Sequence, residues 1–115
     1  MKNIYSYELG CQYDTRQSFY GKAIVNVYET KNVEQKQLQS YSTLVANYVY
    51  YKNKNKKVYE YFGKYSQTTT RHQKEFFRQL GLTEKELKDL FKNGRLEKET
   101  IKIYDNDLVE KLKEC

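Results

Sequence analysis

The chain has 115 residues, a formal net charge of +6 and a mean hydropathy of −1.00, with 13 tyrosines, five phenylalanines, no proline and two cysteines. That length suits one domain with a modest core, and the aromatic rings supply apolar bulk that the low hydropathy otherwise denies. No apolar run approaches a membrane span, no signal-peptide segment follows Met1, and the lone His72 with Cys11 and Cys115 offers no zinc spacing. The expectation is a cytoplasmic protein away from the membrane, with no metal and no cofactor.

Ile4 to Glu8 suits an edge strand. From Phe19 to Val27, the residues Gly21, Ala23, Val25 and Val27 alternate with Tyr20, Lys22, Ile24 and Asn26, the period of a strand with one apolar face. Glu29 to Gln37 reads as a polar connector, and Leu38 to Tyr51, β-branched and aromatic, as a second, long strand. KNKNK interrupts the pattern and Lys57 to Gly63 resumes it, so a hairpin closes through a Lys/Asn turn.

The period then changes. Thr69 to Leu80 spaces His72, Phe76 and Leu80 at helical intervals, and Gly81 supplies a stop. Thr83 and Glu86 have the spacing of a capping box, opening a helix whose Leu87, Leu90 and Phe91 share a face and which ends near Gly94. Thr100 to Tyr104 has strand character, and Asp105 or Asn106 can cap a last helix through Leu108, Val109 and Leu112. Strands before helices predict a single α+β domain over 1–115. Its antiparallel sheet has about three to four strands in the N-terminal half (strand-rich 1–64), with two to three helices from 67–115 packed on one face.

Charge is concentrated in one place. Between Lys52 and Arg78 stand eight bases (Lys52, Lys54, Lys56, Lys57, Lys64, Arg71, Lys74, Arg78) and two acids (Glu60, Glu75), a net six that equals the whole excess. Such a basic region fits nucleic acid or an acidic partner, or simply a solvated face. Seven nearby tyrosines, Tyr41, Tyr48, Tyr50, Tyr51, Tyr59, Tyr61 and Tyr65, add rings on which bases stack, although strand alternation sends about half of them to the core.

Four hydroxyls fall among the five residues Ser66 to Thr70, directly before Arg71 and His72. They offer several N-caps, and a helix N-terminus also favours an anion. Arg71 opposes the helix dipole, so the cap alone does not explain it: either it joins the free amides of the helix start around a phosphate, or one Thr caps the helix and Arg71 points into water. His72 shares a stripe with Phe76 and Leu80, the position of a half-buried histidine holding a carbonyl, and no catalytic partner is evident. The alternative is a metal-independent ribonuclease using His72 and Arg71, with Tyr65 or Lys22 as second acid/base.

Three ordered blocks, Tyr13 to Ala23 (YDTRQSFYGKA), Leu38 to Ala46 (LQSYSTLVA) and Tyr65 to Leu82 (YSQTTTRHQKEFFRQLGL), resemble a small family carried by phages and plasmids of Gram-positive bacteria. The resemblance implies action in the cytoplasm of a bacterial host cell, on its nucleic acids or a defence nucleoprotein, including as an anti-CRISPR-like inhibitor. It carries over no activity. The resulting expectation is a non-catalytic protein binding RNA, DNA or a host defence nucleoprotein, with a purely protein-binding inhibitor as a further alternative. The candidate surface is Arg16, Lys22, Lys52, Lys54, Lys56, Lys57, Lys64, Tyr65, Ser66, Thr69, Thr70 and Arg71, with Ser18 of the first block beside them.

Overall fold

The computed structural model describes residues 3–16 and 18–99. Among them, β1 (Asn3–Glu8), β2 (Ala23–Glu29), β3 (Val33–Ser40), β4 (Thr43–Tyr51), β5 (Lys56–Tyr61) and β6 (Arg95–Glu99) form one antiparallel sheet in sequential order. Helices α1 (Gln67–Gln79) and α2 (Glu84–Asn93) are inserted between β5 and β6, which still pair with each other.

Register decides which face is buried. Val25 lies opposite Leu38, Leu38 opposite Ala46, Tyr48 opposite Tyr59, and Tyr59 opposite Leu96. These residues share the face on which α1 and α2 lay Phe76, Phe77, Leu87 and Leu90. Each such side chain, fully buried, contributes roughly 1.5–3 kcal/mol. Tyr61 stacks on Phe91 with ring centroids 4.3 Å apart, sealing the layer under α2.

The other face carries Asn26, Gln35, Gln37, Gln39, Asn47 and Glu60 and no described helix. Its amides bond across strands: Gln35 Nε2 donates to Asn47 Oδ1 (2.9 Å) and Asn47 Nδ2 to Glu60 Oε1 (2.9 Å). One packed and one polar face is the usual state of an antiparallel sheet.

The α+β class holds, but the expected three to four strands in the N-terminal half are corrected to six, the last lying after both helices. Two features hid the extra strands. Glu29 to Gln37 is mostly β3 rather than connector: its glutamines lie on the polar face, and Glu34 and Lys36 interrupt the apolar alternation on the other. Leu38 to Tyr51 is two strands, folded at Tyr41–Ser42 without glycine, because Tyr41 itself takes a positive φ of 57°. The polar segment Arg95–Glu99 is the sixth strand, while Thr100 to Tyr104 and the helix expected through Leu112 lie outside the described residues. No helix among the described residues is long and apolar enough to cross a membrane.

Candidate anion-binding site

Each hydroxyl of the Ser66–Thr70 row has a distinct use. Ser66 is the N-cap of α1, its Oγ accepting from Thr69 N at 3.1 Å. Thr70 Oγ1 donates back to Ser66 O at 3.0 Å. Thr69, 5% exposed, reaches the sheet, its Oγ1 lying 2.9 Å from Ser40 Oγ. Ser40 Oγ in turn lies 2.8 Å from His72 Nδ1.

This relay connects the helix cap to the imidazole. Ser66 Oγ donates to Thr69 Oγ1 at 3.3 Å. Where Thr69 then donates to Ser40, and Ser40 to His72 Nδ1, each hydroxyl proton in the chain has an acceptor. Nδ1 is then an acceptor and Nε2 carries the hydrogen. The ring is fully buried and Nε2 has no partner among the described residues. Burial also holds the imidazole below its ordinary value, with Asp14 opposing and Arg16 assisting, so the ring is neutral near pH 7.

His72 forms one wall of a cavity of about 190 Å³. Arg16, Ser18, Phe19, Tyr20 and Lys22 come from the β1–β2 loop, Tyr41 from the β3–β4 turn, and Thr68 and Arg71 from the first turns of α1. The loop is held by Glu75: its Oε1 accepts from Tyr13 N and Asp14 N, both at 2.8 Å, and its Oε2 from Gln79 Nε2 at 2.6 Å. Gln79 Nε2 also donates to Gly10 O at 2.7 Å.

Two exposed tyrosines flank the cavity with strained backbones. Tyr20 (φ 52°) and Gly21 (φ 74°) form a tight turn closed by Lys22 N donating to Phe19 O at 3.0 Å. Tyr41 is fastened to the same turn by its N–H donating to Lys22 O at 2.7 Å. Positive φ is costly for a bulky aromatic residue, and such strain concentrates at functional sites. The cations Arg16, Lys22 and Arg71 surround the opening, and Arg71 Nη1 lies 3.5 Å from Asp14 Oδ1. Three positive charges against one negative leave the rim at about +2.

A second cavity, about 280 Å³, lies across Arg71 and is lined by Tyr13, Asp14, Lys74, Glu75, Arg78 and Glu84 among others. Its charges answer one another. Arg78 rests over the Tyr13 ring at 4.8 Å, donates to Leu82 O at 2.8 Å, and lies 3.8 Å from Glu84. It reads as the packing that fixes the loop.

The sequence-predicted surface is therefore divided. Arg16, Lys22 and Arg71 meet at the first cavity, with Ser66 and Thr69 in the relay behind it and Thr70 turned to the helix backbone. Lys64 and Tyr65 are exposed on the approach to α1 and do not line the cavity. Lys52, Lys54, Lys56 and Lys57 lie at the opposite end of β4, whose nine residues separate the two ends by about 26 Å at ~3.3 Å per residue. There Lys52 pairs with Glu29 (2.6 Å), Lys56 with Glu97 (3.3 Å), and Lys57 sits 5.4 Å over the Tyr50 ring. Tyr48 and Tyr59 are core, the latter pushed up to about 12 by burial, and present no stacking surface.

Sequence reasoning missed Tyr20, Ser40 and Asp14. Tyr20-Gly21 is a turn pair at the head of a strand, a legible signal; the pairing of Ser40 with His72 across 32 residues is not. No group of three or more metal-ligating side chains occurs among the described residues.

The profile of a family of unknown function, DUF8033, matches residues 7–93, a span that contains every residue lining the cavity. No curated protein and no solved structure matches the chain. The chain belongs to DUF8033.

Proposed function

We propose that this protein binds single-stranded nucleic acid, free or within a host nucleoprotein, without catalysing a reaction on it. The observation that supports this reading is the meeting of Arg16, Lys22 and Arg71 with the exposed rings of Tyr20 and Tyr41 around one cavity. Cations pair with phosphate and rings stack on bases, the usual composition of a single-strand site. Action on a host defence nucleoprotein, suggested by the resemblance to phage and plasmid proteins, is part of the same proposal.

RNA cleavage by His72 and Arg71 has less support. His72 is fully buried, Nδ1 is engaged by Ser40, and burial opposes the protonated form that a general acid needs. Intact RNA after prolonged incubation in EDTA is the expected result, and cleavage abolished by His72→Gln would reverse the preference.

Fluorescence anisotropy with labelled single-stranded RNA and DNA tests binding. Neutralising two to three phosphate charges gives a log–log salt slope of about −1.4 to −2.1, or a roughly 7- to 20-fold loss of affinity between about 50 and about 200 mM salt. Arg16→Gln and Lys22→Gln should weaken binding, and Lys54→Gln should not. Salt-independent affinity, or a loss confined to Lys54 and Lys57 variants, would overturn the assignment of the site.

A further inference from the structure

We infer that the cavity takes a terminal phosphomonoester, the phosphorylated end of a single strand, rather than an internal phosphodiester. This rests on the nucleic-acid reading above and narrows it. Three observations lead to it.

The first is size. About 190 Å³ is below the roughly 300–1,000 Å³ of clefts that enclose a drug-sized ligand. That volume suits a phosphoryl group better than a strand that enters and leaves again with a sugar on each side. The second is charge. Arg16, Lys22 and Arg71, less Asp14, leave about +2 around the opening. That balance matches the charge of about −1.5 to −2 on a phosphomonoester near neutrality, and exceeds the single charge of a diester.

The third is the floor. His72 lines it, Nδ1 is engaged by Ser40, and Nε2 is a buried polar atom with no partner among the described residues. An orphaned buried donor is destabilising, and few native groups are left so. An oxygen that projects to the back of the cavity would answer it. A terminal phosphoryl group presents three oxygens while its ester bond faces the mouth. Tyr20 and Tyr41 then stand where the last base of the strand can stack.

The test compares one fluorescent single-stranded oligonucleotide carrying a 5′-phosphate, a 3′-phosphate, or hydroxyls at both ends, against the full chain. One phosphorylated form should bind roughly 10- to 100-fold more tightly than the hydroxyl form, as expected for a charge-assisted donor set. His72→Leu should reduce that preference while leaving the part set by the three cations, and His72→Gln, which keeps a polar side chain there, should reduce it less. Should either variant fail to fold, the wild-type series decides alone. Inorganic phosphate in millimolar excess should compete with the phosphorylated form and leave the hydroxyl form unaffected. Equal binding of all three oligonucleotides overturns the terminal-phosphate inference and leaves nucleic-acid binding standing. Binding of none overturns both.

Discussion

Glu75→Ala is the most informative single change, because Glu75 is a buried side chain that builds the site without touching the cavity that we assign to ligand. It is 2% exposed and accepts three hydrogen bonds, from Tyr13 N, Asp14 N and Gln79 Nε2. Bonds to a charged acceptor contribute about 1.5–3 kcal/mol each, which sets an upper bound of about 9 kcal/mol. The real loss is smaller. The two loop amides are part-buried and regain water once the side chain is removed, so the expected cost is about 2–4 kcal/mol. For a domain of this size that is a fall in Tm of roughly 10–20 °C.

Denaturant unfolding measures the cost, and amide hydrogen exchange shows where it falls. Tyr13 and Asp14 should lose protection selectively, and affinity for the phosphorylated strand should drop because the freed loop carries Arg16 and Ser18. Glu84→Ala is the control: its carboxylate is largely exposed, 3.8 Å from Arg78, and its removal should change stability by no more than about 0.5 kcal/mol. If Glu75→Ala costs under about 0.5 kcal/mol and leaves both amides protected, the loop is held by something else and the account of how Arg16 reaches the cavity fails.

Three further outcomes are expected. Burial holds His72 below its ordinary 6.5, so the unfolded chain takes up that proton first; stability present above about pH 6.5 should decline as pH falls from there, and an NMR titration placing the His72 pKa above 6.5 would contradict the buried neutral ring. Thr83→Ala removes the hydroxyl that accepts from Glu86 N at 3.2 Å and should cost about 1 kcal/mol by denaturant midpoint; Glu86 itself, held below its ordinary 4.5 by Lys98 and then by Thr83 N–H, stabilises above about pH 4.5 and loses that contribution in acid. Tyr41→Asn should leave stability unchanged or raise it by up to about 1 kcal/mol, since Asn tolerates positive φ, while weakening ligand binding; a loss above about 1 kcal/mol would mean the half-exposed ring is structural.

How much of this was legible depends on the range of the interaction. The capping box at Thr83 and Glu86 and the left-handed Gly94 are local and readable in the chain, and both are present. The apolar alternation of Ala23, Val25 and Val27 is likewise local, and all three are core. β3 was not legible, because its polar-face glutamines and the charged Glu34 and Lys36 hide the period on which strand recognition depends. The Tyr41 turn was not legible either, because nothing in a tyrosine announces a positive φ. For the site, the surplus of Arg71 over what a helix cap needs was visible. Its convergence with Arg16 and Lys22 depends on Glu75 folding the loop onto α1 across some sixty residues. The division of the basic surface into two ends of the sheet follows from the length of β4, which composition does not contain.

The costs themselves locate the site. A fold indifferent to ligand would place Gly or Asn at positions 20 and 41, where φ is positive, and Leu or Phe at position 72, where the side chain is fully enclosed. This chain instead has tyrosine at both turns and a histidine whose Nε2 has no partner among the described residues. Each choice costs on the order of 1–3 kcal/mol. All three line the same 190 Å³ cavity, together with the cations Arg16, Lys22 and Arg71, the last of which lies 3.5 Å from Asp14. Departures from local consistency scattered over a surface would suggest tolerated drift; concentrated in one cavity, they suggest a ligand site. An oxygen near Nε2 would answer the unpaired nitrogen and an anion would relieve the repulsion among the cations, while the exposed tyrosines, whose backbone strain a ligand leaves in place, offer a flat ring a surface to stack on.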